Sequence, residues 1–258
     1  MDYTQNEINY KDYKDYKDYE RYARQIKLDG FGYESQDKLL SSKVAVIGAG
    51  GLGSIVLQYL TSAGIGEINV LDYQDIELSN LNRQIIHNET NLGQLKVDSA
   101  KEKLEKLNSN VKINTFNQKL EKKDLNSNLK FIKESDLIID CLDNFEARYI
   151  LNDLALKYDK PLVHGAIEGM HGQATTMVPG ETPCLRCIFK TKANKDKVPV
   201  LGFTAGVIGS IQVGEAIKYI TGYGETLKNK LLSVNLKNNE FLTFKIKKNP
   251  NCSCNSTL

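Results

Sequence analysis

The sequence predicts an α/β fold: a Rossmann-like, mostly parallel sheet with helices on both faces, extended by further strands near the C-terminus. Two observations predict it. From Lys43 onward, short apolar runs alternate with longer stretches of helical periodicity, the rhythm of parallel strands covered by helices. The first of those runs leads directly into a glycine-rich turn, the junction at which such sheets gather phosphates. At 258 residues, 41% apolar and 26% charged, the chain is long enough for one large domain around its own core.

Residues 9–22 read NYKDYKDYKDYERY, a Lys-Asp-Tyr repeat with tyrosines at 10, 13, 16, 19 and 22. A period of three drifts around a helix of 3.6 residues per turn, so these rings cannot share one buried face. Residues 1–20 are therefore expected to be a polar arm leading into a short helix near Glu20, and residues 21–258 a single domain. KVAVIG reads as a buried strand, GLGSIVLQYLTSAG as a helix, EINVLD as a second strand and KVDSAKEKLEKLNSN as an amphipathic helix. VKINTF, DLIIDC and PLVHGA read as further strands, with FEARYILNDLALKYDK as the helix between the last two. A short strand around QATTMV, an irregular stretch from Pro179 to Val200, the Gly-rich helix FTAGVIGSIQVGEAIKYITG and strands LLSVNL and FLTFKI follow. No linker separates these from the rest, so they are expected to extend the same sheet.

With 34 basic and 32 acidic side chains and a net charge of +2, the chain has no overall field to attract nucleic acid or anionic lipid, and any anion site must be local. MDYTQNEINY has neither the basic start nor the apolar stretch of a signal peptide, and no run approaches the ~18 apolar residues of a membrane span. A cytoplasmic protein that binds neither nucleic acid nor membrane is expected. Cys141, Cys184, Cys187, Cys252 and Cys254 are an odd number for a disulfide framework. Four of them form two close pairs, which suits a metal in a reducing compartment.

The turn after the first strand is Gly48-Ala49-Gly50-Gly51-Leu52-Gly53, where glycines let the backbone approach a phosphate chain at a helix N-terminus. Asp72 ends the second strand, nineteen residues beyond Gly53, where a carboxylate can accept hydrogen bonds from ribose hydroxyls. This fingerprint alone fits a dinucleotide dehydrogenase. The following residues favour ATP: Ser79-Asn80-Leu81-Asn82-Arg83-Gln84 and Gly93-Gln94-Leu95-Lys96 put two cations and several amides where phosphates would lie. Fixed cations in a water-poor site stabilise the charge that shifts toward departing pyrophosphate. Asp143, just past the end of DLIIDC, is placed to hold Mg²⁺, or to cap the next helix, or to do both.

RYARQI at 21–26, GAGGLG, LDYQDIELSNLNRQ, GQLKV, DCLDN and PCLRC occur in this order, and together they resemble the MoeB/ThiF/HesA branch of the ubiquitin-activating-enzyme superfamily. The resemblance covers about Arg21 to Cys254. It implies ATP-dependent adenylation of a small ubiquitin-like sulfur-carrier protein ending in Gly-Gly, by a homodimer with one structural zinc per subunit. By position, Gly48, Gly50, Gly51 and Gly53 would form the phosphate loop, Asp72 would hold the ribose, and Asn80, Arg83, Gln84 and Lys96 would line the triphosphate. Asp143 would bind magnesium, and Arg24 would reach across the dimer to the partner's phosphates. Cys184, Cys187, Cys252 and Cys254 would hold the zinc.

Two departures stand out. The second cysteine pair is Cys252-Ser253-Cys254 where the family has C-x-x-C, which tightens the geometry around zinc. The loop TKANKDKVPVLGFTAGVIG has no cysteine, whereas many relatives carry one there to take the activated carrier. Cys141 reads as a buried small thiol in the nucleotide strand. Chemistry is thus expected to stop at the acyl-adenylate, with a separate sulfur donor such as a cysteine desulfurase or rhodanese attacking it. Lys190 to Lys197 is expected to close over the carrier tail or to be a solvated charge run. His87, His164 and His171 have no metal or triad spacing, and His164 is expected to line the active face. Three alternatives stay open: an NAD-dependent oxidoreductase, a non-catalytic carrier-binding module, and a relative acting on a small-molecule or tRNA carboxylate.

Overall fold

The computed structural model describes residues 16–189, 198–252 and 254. Helices α1 (Tyr16–Ile26) and α2 (Gly32–Ser41) precede strand β1 (Lys43–Ile47), helix α3 (Gly51–Ala63) and strand β2 (Glu67–Asp72). Next come α4 (Lys96–Leu107), β3 (Lys112–Asn117), the single turn α5 (Lys130–Lys133), β4 (Leu137–Asp140), α6 (Phe145–Lys157) and β5 (Leu162–Glu168). The chain continues through β6 (His171–Met177), the short α7 (Leu185–Ile188), α8 (Gly202–Thr221), β7 (Lys230–Asn235) and β8 (Glu240–Lys245). The helix expected near Glu20 is α1, which begins at Tyr16. Helix α2 was not foreseen, and α7 lies inside the stretch read as irregular. Most of the Lys-Asp-Tyr repeat and the loop Lys190 to Lys197 lie outside the described residues.

All eight strands form one sheet in the order β3-β2-β1-β4-β5-β6-β7-β8. Strands β3 to β5 in that order are parallel neighbours, and β6, β7 and β8 add on antiparallel, each to its predecessor. The reversal of winding falls between β1 and β4, which opens a crevice at their carboxyl ends.

The central strands are buried on both faces, and their alternation divides the core in two. Val44 and Val46 of β1, with Ile68, Val70, Leu137 and Ile139, pack against α3, α4 and α8. Ala45 and Ile47, with Leu71 and Ile138, pack against α5 and α6. This accounts for apolar runs without polar breaks: both faces are dry, so an alternating pattern would bury polar atoms. Among the described residues, no helix is long and apolar enough to cross a membrane.

Helix α1 is anchored at the C-terminal end of α3. Tyr22 is 1% exposed, and Asn108 Nδ2 donates to its hydroxyl (2.8 Å) and to the Thr61 carbonyl (2.9 Å). Gln25 and Gln36 both donate to the Ala63 carbonyl, at 3.2 and 3.0 Å, covering a carbonyl at the end of α3 that no further helical turn can satisfy. Tyr22→Ala is expected to lower unfolding free energy by about 3–5 kcal/mol through the cavity it leaves, and Tyr22→Phe by about 1 kcal/mol through the lost hydrogen bond. Urea denaturation of the two variants checks the order; equal losses would show that the hydroxyl, not the ring, anchors α1.

Candidate functional site

The glycine turn joins β1 to α3 at the crevice. Gly48 has φ +106°, and a Cβ there would lie 2.6 Å from the Cys141 carbonyl oxygen at the end of β4. A Cβ on Gly53 would lie 2.0 Å from the Gly48 carbonyl oxygen. These two glycines are required by the fold of the turn itself. At Gly50 the nearest atom to a Cβ is Gln84 Nε2, 3.7 Å away, so that position is open to an incoming group. Gly50 is also the N-cap of α3 and supplies no side-chain acceptor, leaving the first amides of the helix to a ligand. Gly51 faces the Arg83 stem and Ala205 at 3.3 to 3.7 Å.

Asp72 is buried at the end of β2, and its Oδ2 accepts from the Ala49 amide (2.8 Å) while Oδ1 accepts from the Gln74 amide (2.9 Å). The carboxylate expected at a ribose thus holds the glycine turn. Asn80 ends a 3₁₀ turn, Leu78–Asn80, and its Oδ1 accepts from the Glu77 amide (3.2 Å). That turn shapes the segment carrying Arg83, whose Nη1 donates to the Ser79 carbonyl and to Asn82 Oδ1, both at 2.9 Å. Gln84 is buried beside Gly50, and its Oε1 has no hydrogen-bond partner among the described residues.

Lys96 opens α4 and is 3% exposed, with Nζ donating to Gln74 Oε1 (2.7 Å). Burial pulls its pKa below the ordinary lysine value; the Asp72, Asp143 and Glu77 carboxylates oppose that fall and Arg83 adds to it. A cation at a helix N-terminus in a dry setting is unfavourable by itself. Lys96 thus feels the charges of Asp72, Asp143 and Arg83, of which Asp72 bonds the Ala49 amide and the Arg83 stem lies against Gly51 in the glycine turn.

Asp143 is exposed, and the cap of α6 is its neighbour: Asn144 Oδ1 accepts from the Ala147 amide (2.9 Å). The capping reading of Asp143 is therefore corrected. Asn144 does it because its oxygen is the one that reaches the N3 amide, and Asp143 keeps an outward carboxylate contacted by Asn144 Nδ2 (3.1 Å). Inward, Asp140 meets His164 Nδ1 (2.6 Å) and Arg148 Nε (3.4 Å) and accepts from the Leu142 amide (3.0 Å), which fixes the turn between the two aspartates. His164 is fully buried in this network rather than lining the active face, and burial lowers its pKa despite Asp140. Neither Asp140 nor Arg148 was singled out in the sequence; an acid ending a strand with no water to face was the available signal.

Arg24 stands apart. It is exposed on α1, next to Gln25, which bonds the Ala63 carbonyl at the far end of α3. Thirteen residues of helix, about 20 Å, separate that end from the glycine turn.

The four cysteines converge. Cys184 Sγ lies 3.9 Å from Cys187 Sγ and 3.6 Å from Cys252 Sγ, and Cys187 Sγ lies 3.5 Å from Cys254 Sγ. All four sulfurs fall within 4.8 Å of one another. A tetrahedral zinc with sulfurs at about 2.3 Å has sulfur–sulfur edges of about 3.8 Å, so the shortened C-x-C pair still closes a fitting cage. The first pair is braced by α6: Asn152 Oδ1 accepts from the Leu185 amide (2.8 Å), and Arg186 binds Asp153 through Nε (2.9 Å) and Nη2 (2.6 Å) while stacking on Tyr149. Burial raises the Cys184 thiol to about 11, so a bound cation is what would make it a thiolate at neutral pH. Cys141 is a buried thiol whose pKa burial raises well above the ordinary value.

The ThiF family model matches residues 22–255. This chain belongs to the ThiF family. A SAMP-activating enzyme E1 from Haloferax volcanii is 39% identical over 236 residues, covering 89% of this chain and 86% of that protein. An adenylyltransferase and sulfurtransferase MOCS3 from Drosophila persimilis is 38% identical over 237 residues; the chain spans about half of that protein, 52%. Among solved structures, E. coli MccB with ATP matches at a TM-score of 0.84 and 25% identity, covering 97% of this chain and 76% of that one. MccB with AMPCPP and MccA matches at 0.81 and 26%. With its family, this ThiF-family chain has the enzyme class of an adenylyltransferase.

Two outcomes are expected here. The purified protein should carry about one tetrahedrally bound metal per chain, and Cys252→Ser should lose it, as elemental analysis would register; full metal content in the variant would exclude the cysteine cage. His87 is lowered from 6.5 to about 4, chiefly by burial. The unfolded chain therefore takes up this proton first, so the stability His87 contributes is complete above about pH 6.5 and is lost as pH falls toward 4. Urea midpoints measured across that range should fall less steeply in His87→Gln than in the wild type.

Proposed function

We propose that this ThiF-family enzyme adenylates the C-terminal carboxylate of a small ubiquitin-like sulfur-carrier protein ending in Gly-Gly, using ATP and releasing pyrophosphate, for sulfur transfer of the molybdopterin or thiamine type. What supports this reading is that the Arg83 stem lies against Gly51 at the uncapped N-terminus of α3, with Lys96 in electrostatic reach of Arg83, Asp72 and Asp143. A hydride-transfer enzyme has little use for two cations at its phosphate loop. A triphosphate does, because charge moves onto its leaving end as the carrier carboxylate attacks the α-phosphorus. The names of its relatives, a SAMP-activating enzyme and a MOCS3 adenylyltransferase, support the same class of substrate.

In this reading residues 21–258 act as one adenylation domain. The open position at Gly50 and the α3 amides receive phosphate, Asp72 accepts from the ribose with the lone pairs its loop contacts leave, and Asn80 and Gln84 supply amide contacts. Arg83 and Lys96 neutralise the triphosphate. Asp143 holds Mg²⁺, which when bound draws charge from the phosphate oxygens. The four cysteines hold zinc and serve the fold. Cys141 is too deeply buried to act as a nucleophile, so a separate sulfur donor, a cysteine desulfurase or rhodanese, consumes the acyl-adenylate in the cytoplasm. Arg24 sits a helix length from the turn of its own chain, and a homodimer brings it to the partner's phosphates instead.

ATP–pyrophosphate exchange measured against a panel of Gly-Gly-ended carriers should depend on one of them and name the pathway. Arg83→Ala and Asp143→Ala should each lower exchange by about 100-fold or more while folding and metal content stay intact. Arg24→Ala should be inactive alone and regain activity when co-assembled with Asp143→Ala, since one mixed site then holds every group. Exchange by none of the carriers would defeat the adenylation reading, and an absence of rescue would defeat the crossed arginine.

A further inference from the structure

Both backbone polar atoms of Ala49, inside the glycine turn, are held by side chains. Its amide donates to Asp72 Oδ2 (2.8 Å), and its carbonyl faces His87 Nε2 (3.3 Å). A carbonyl can only accept, so Nε2 carries the proton, and Nδ1 accepts from the Ser99 hydroxyl (3.0 Å). His87 is 5% exposed and Ser99 1% exposed, so this bridge excludes water. Ser99 lies on α4, one turn beyond Lys96. The other side of the clamp runs to the same helix: Asp72 Oδ1 accepts from the Gln74 amide, and Gln74 Oε1 accepts from Lys96 Nζ (2.7 Å). The Gln74 carbonyl accepts from the Lys96 amide as well (3.0 Å).

We propose that His87 is a positioning residue: with Asp72 it clamps Ala49 from both sides and sets the distance between the phosphate-binding turn and the helix that carries Lys96. Two routes, one through His87 and Ser99 and one through Asp72 and Gln74, tie the same turn to the same helix. Either alone would leave a hinge at Ala49; together they fix both its position and its rotation. Phosphate amides and the Lys96 ammonium must meet the same anion, and a displacement of about 1 Å between them is costly to binding and catalysis. The imidazole suits the task because it spans two acceptor-donor partners in a plane, and its low pKa keeps it neutral beside Lys96 and Lys103.

This inference rests on the nucleotide reading of the site, and calorimetric binding without any carrier separates the two. His87→Ala is expected to weaken Mg-ATP binding about tenfold, the equivalent of one buried hydrogen bond, while AMP, which does not span the turn and Lys96, is weakened far less. His87→Gln, which can still donate to the Ala49 carbonyl, should recover most of the loss, and Ser99→Ala should show a smaller one. If His87→Ala folds poorly, the Gln and Ser99 variants carry the test by themselves. Wild-type binding of Mg-ATP that His87→Ala and Ser99→Ala both retain, or that they lose equally for ATP and AMP, overturns the clamp and leaves the site assignment standing. A wild type that binds no Mg-ATP overturns both.

Discussion

Backbone meets backbone where β1 turns into α3, and the arrangement of the whole carboxyl edge depends on that contact. Gly48 stands against the Cys141 carbonyl and Gly53 against the Gly48 carbonyl, at separations that admit no side chain. The turn therefore lies flat across the ends of β1 and β4, directly over the reversal of sheet winding. Everything else at the edge is placed relative to it: Asp72 by its bond to Ala49, Gln84 by its approach to Gly50, and Asp143 by the length of chain that leaves β4 beside Gly48. A bulkier residue at either glycine would lift the turn and separate these groups together.

The second layer of the arrangement is electrostatic. Lys96 is buried among two aspartates, a glutamate and an arginine, and desolvation outweighs the acids that favour its charge. Its charge is therefore less well matched than those of a structural ion pair, which satisfy each other. Asp140 shows the structural kind close by. It is matched by Arg148, His164 and the Leu142 amide, none of them exposed enough to meet a ligand, and its effect is to shape the turn that presents Asp143. One strand end thus carries two acids, three residues apart across the turn, with different surroundings: one closed by partners and one open to solvent.

The cysteine cage joins the segment around α7 to the segment after β8, which are far apart in sequence. Its first pair is braced on α6 through Asn152, Asp153 and Tyr149, the same helix whose N-terminus follows Asp143. The second pair closes the cage after the last strand. Four sulfurs at tetrahedral spacing tolerate the lost spacer residue because Cys252 and Cys254 approach different members of the first pair, at 3.6 and 3.5 Å, instead of sharing one face.

Much of this was legible in residue order. Strand and helix patterns are local, so every strand and the long helices of the sheet were legible in the sequence, and the glycine spacing with Asp72 marked the tight turn that follows β1. Short α2 escaped notice because its sequence, GYESQDKLLS, has a weak apolar face and is held by tertiary contacts, among them the Gln36 bond to Ala63. Which acid caps α6, whether His164 faces a ligand or the core, and whether C-x-C can complete a tetrahedron were decided only by the tertiary structure. Each turns on distances of a few tenths of an ångström between residues far apart in the chain, and local pattern determines the type of an element while packing alone determines which side chains of two elements meet.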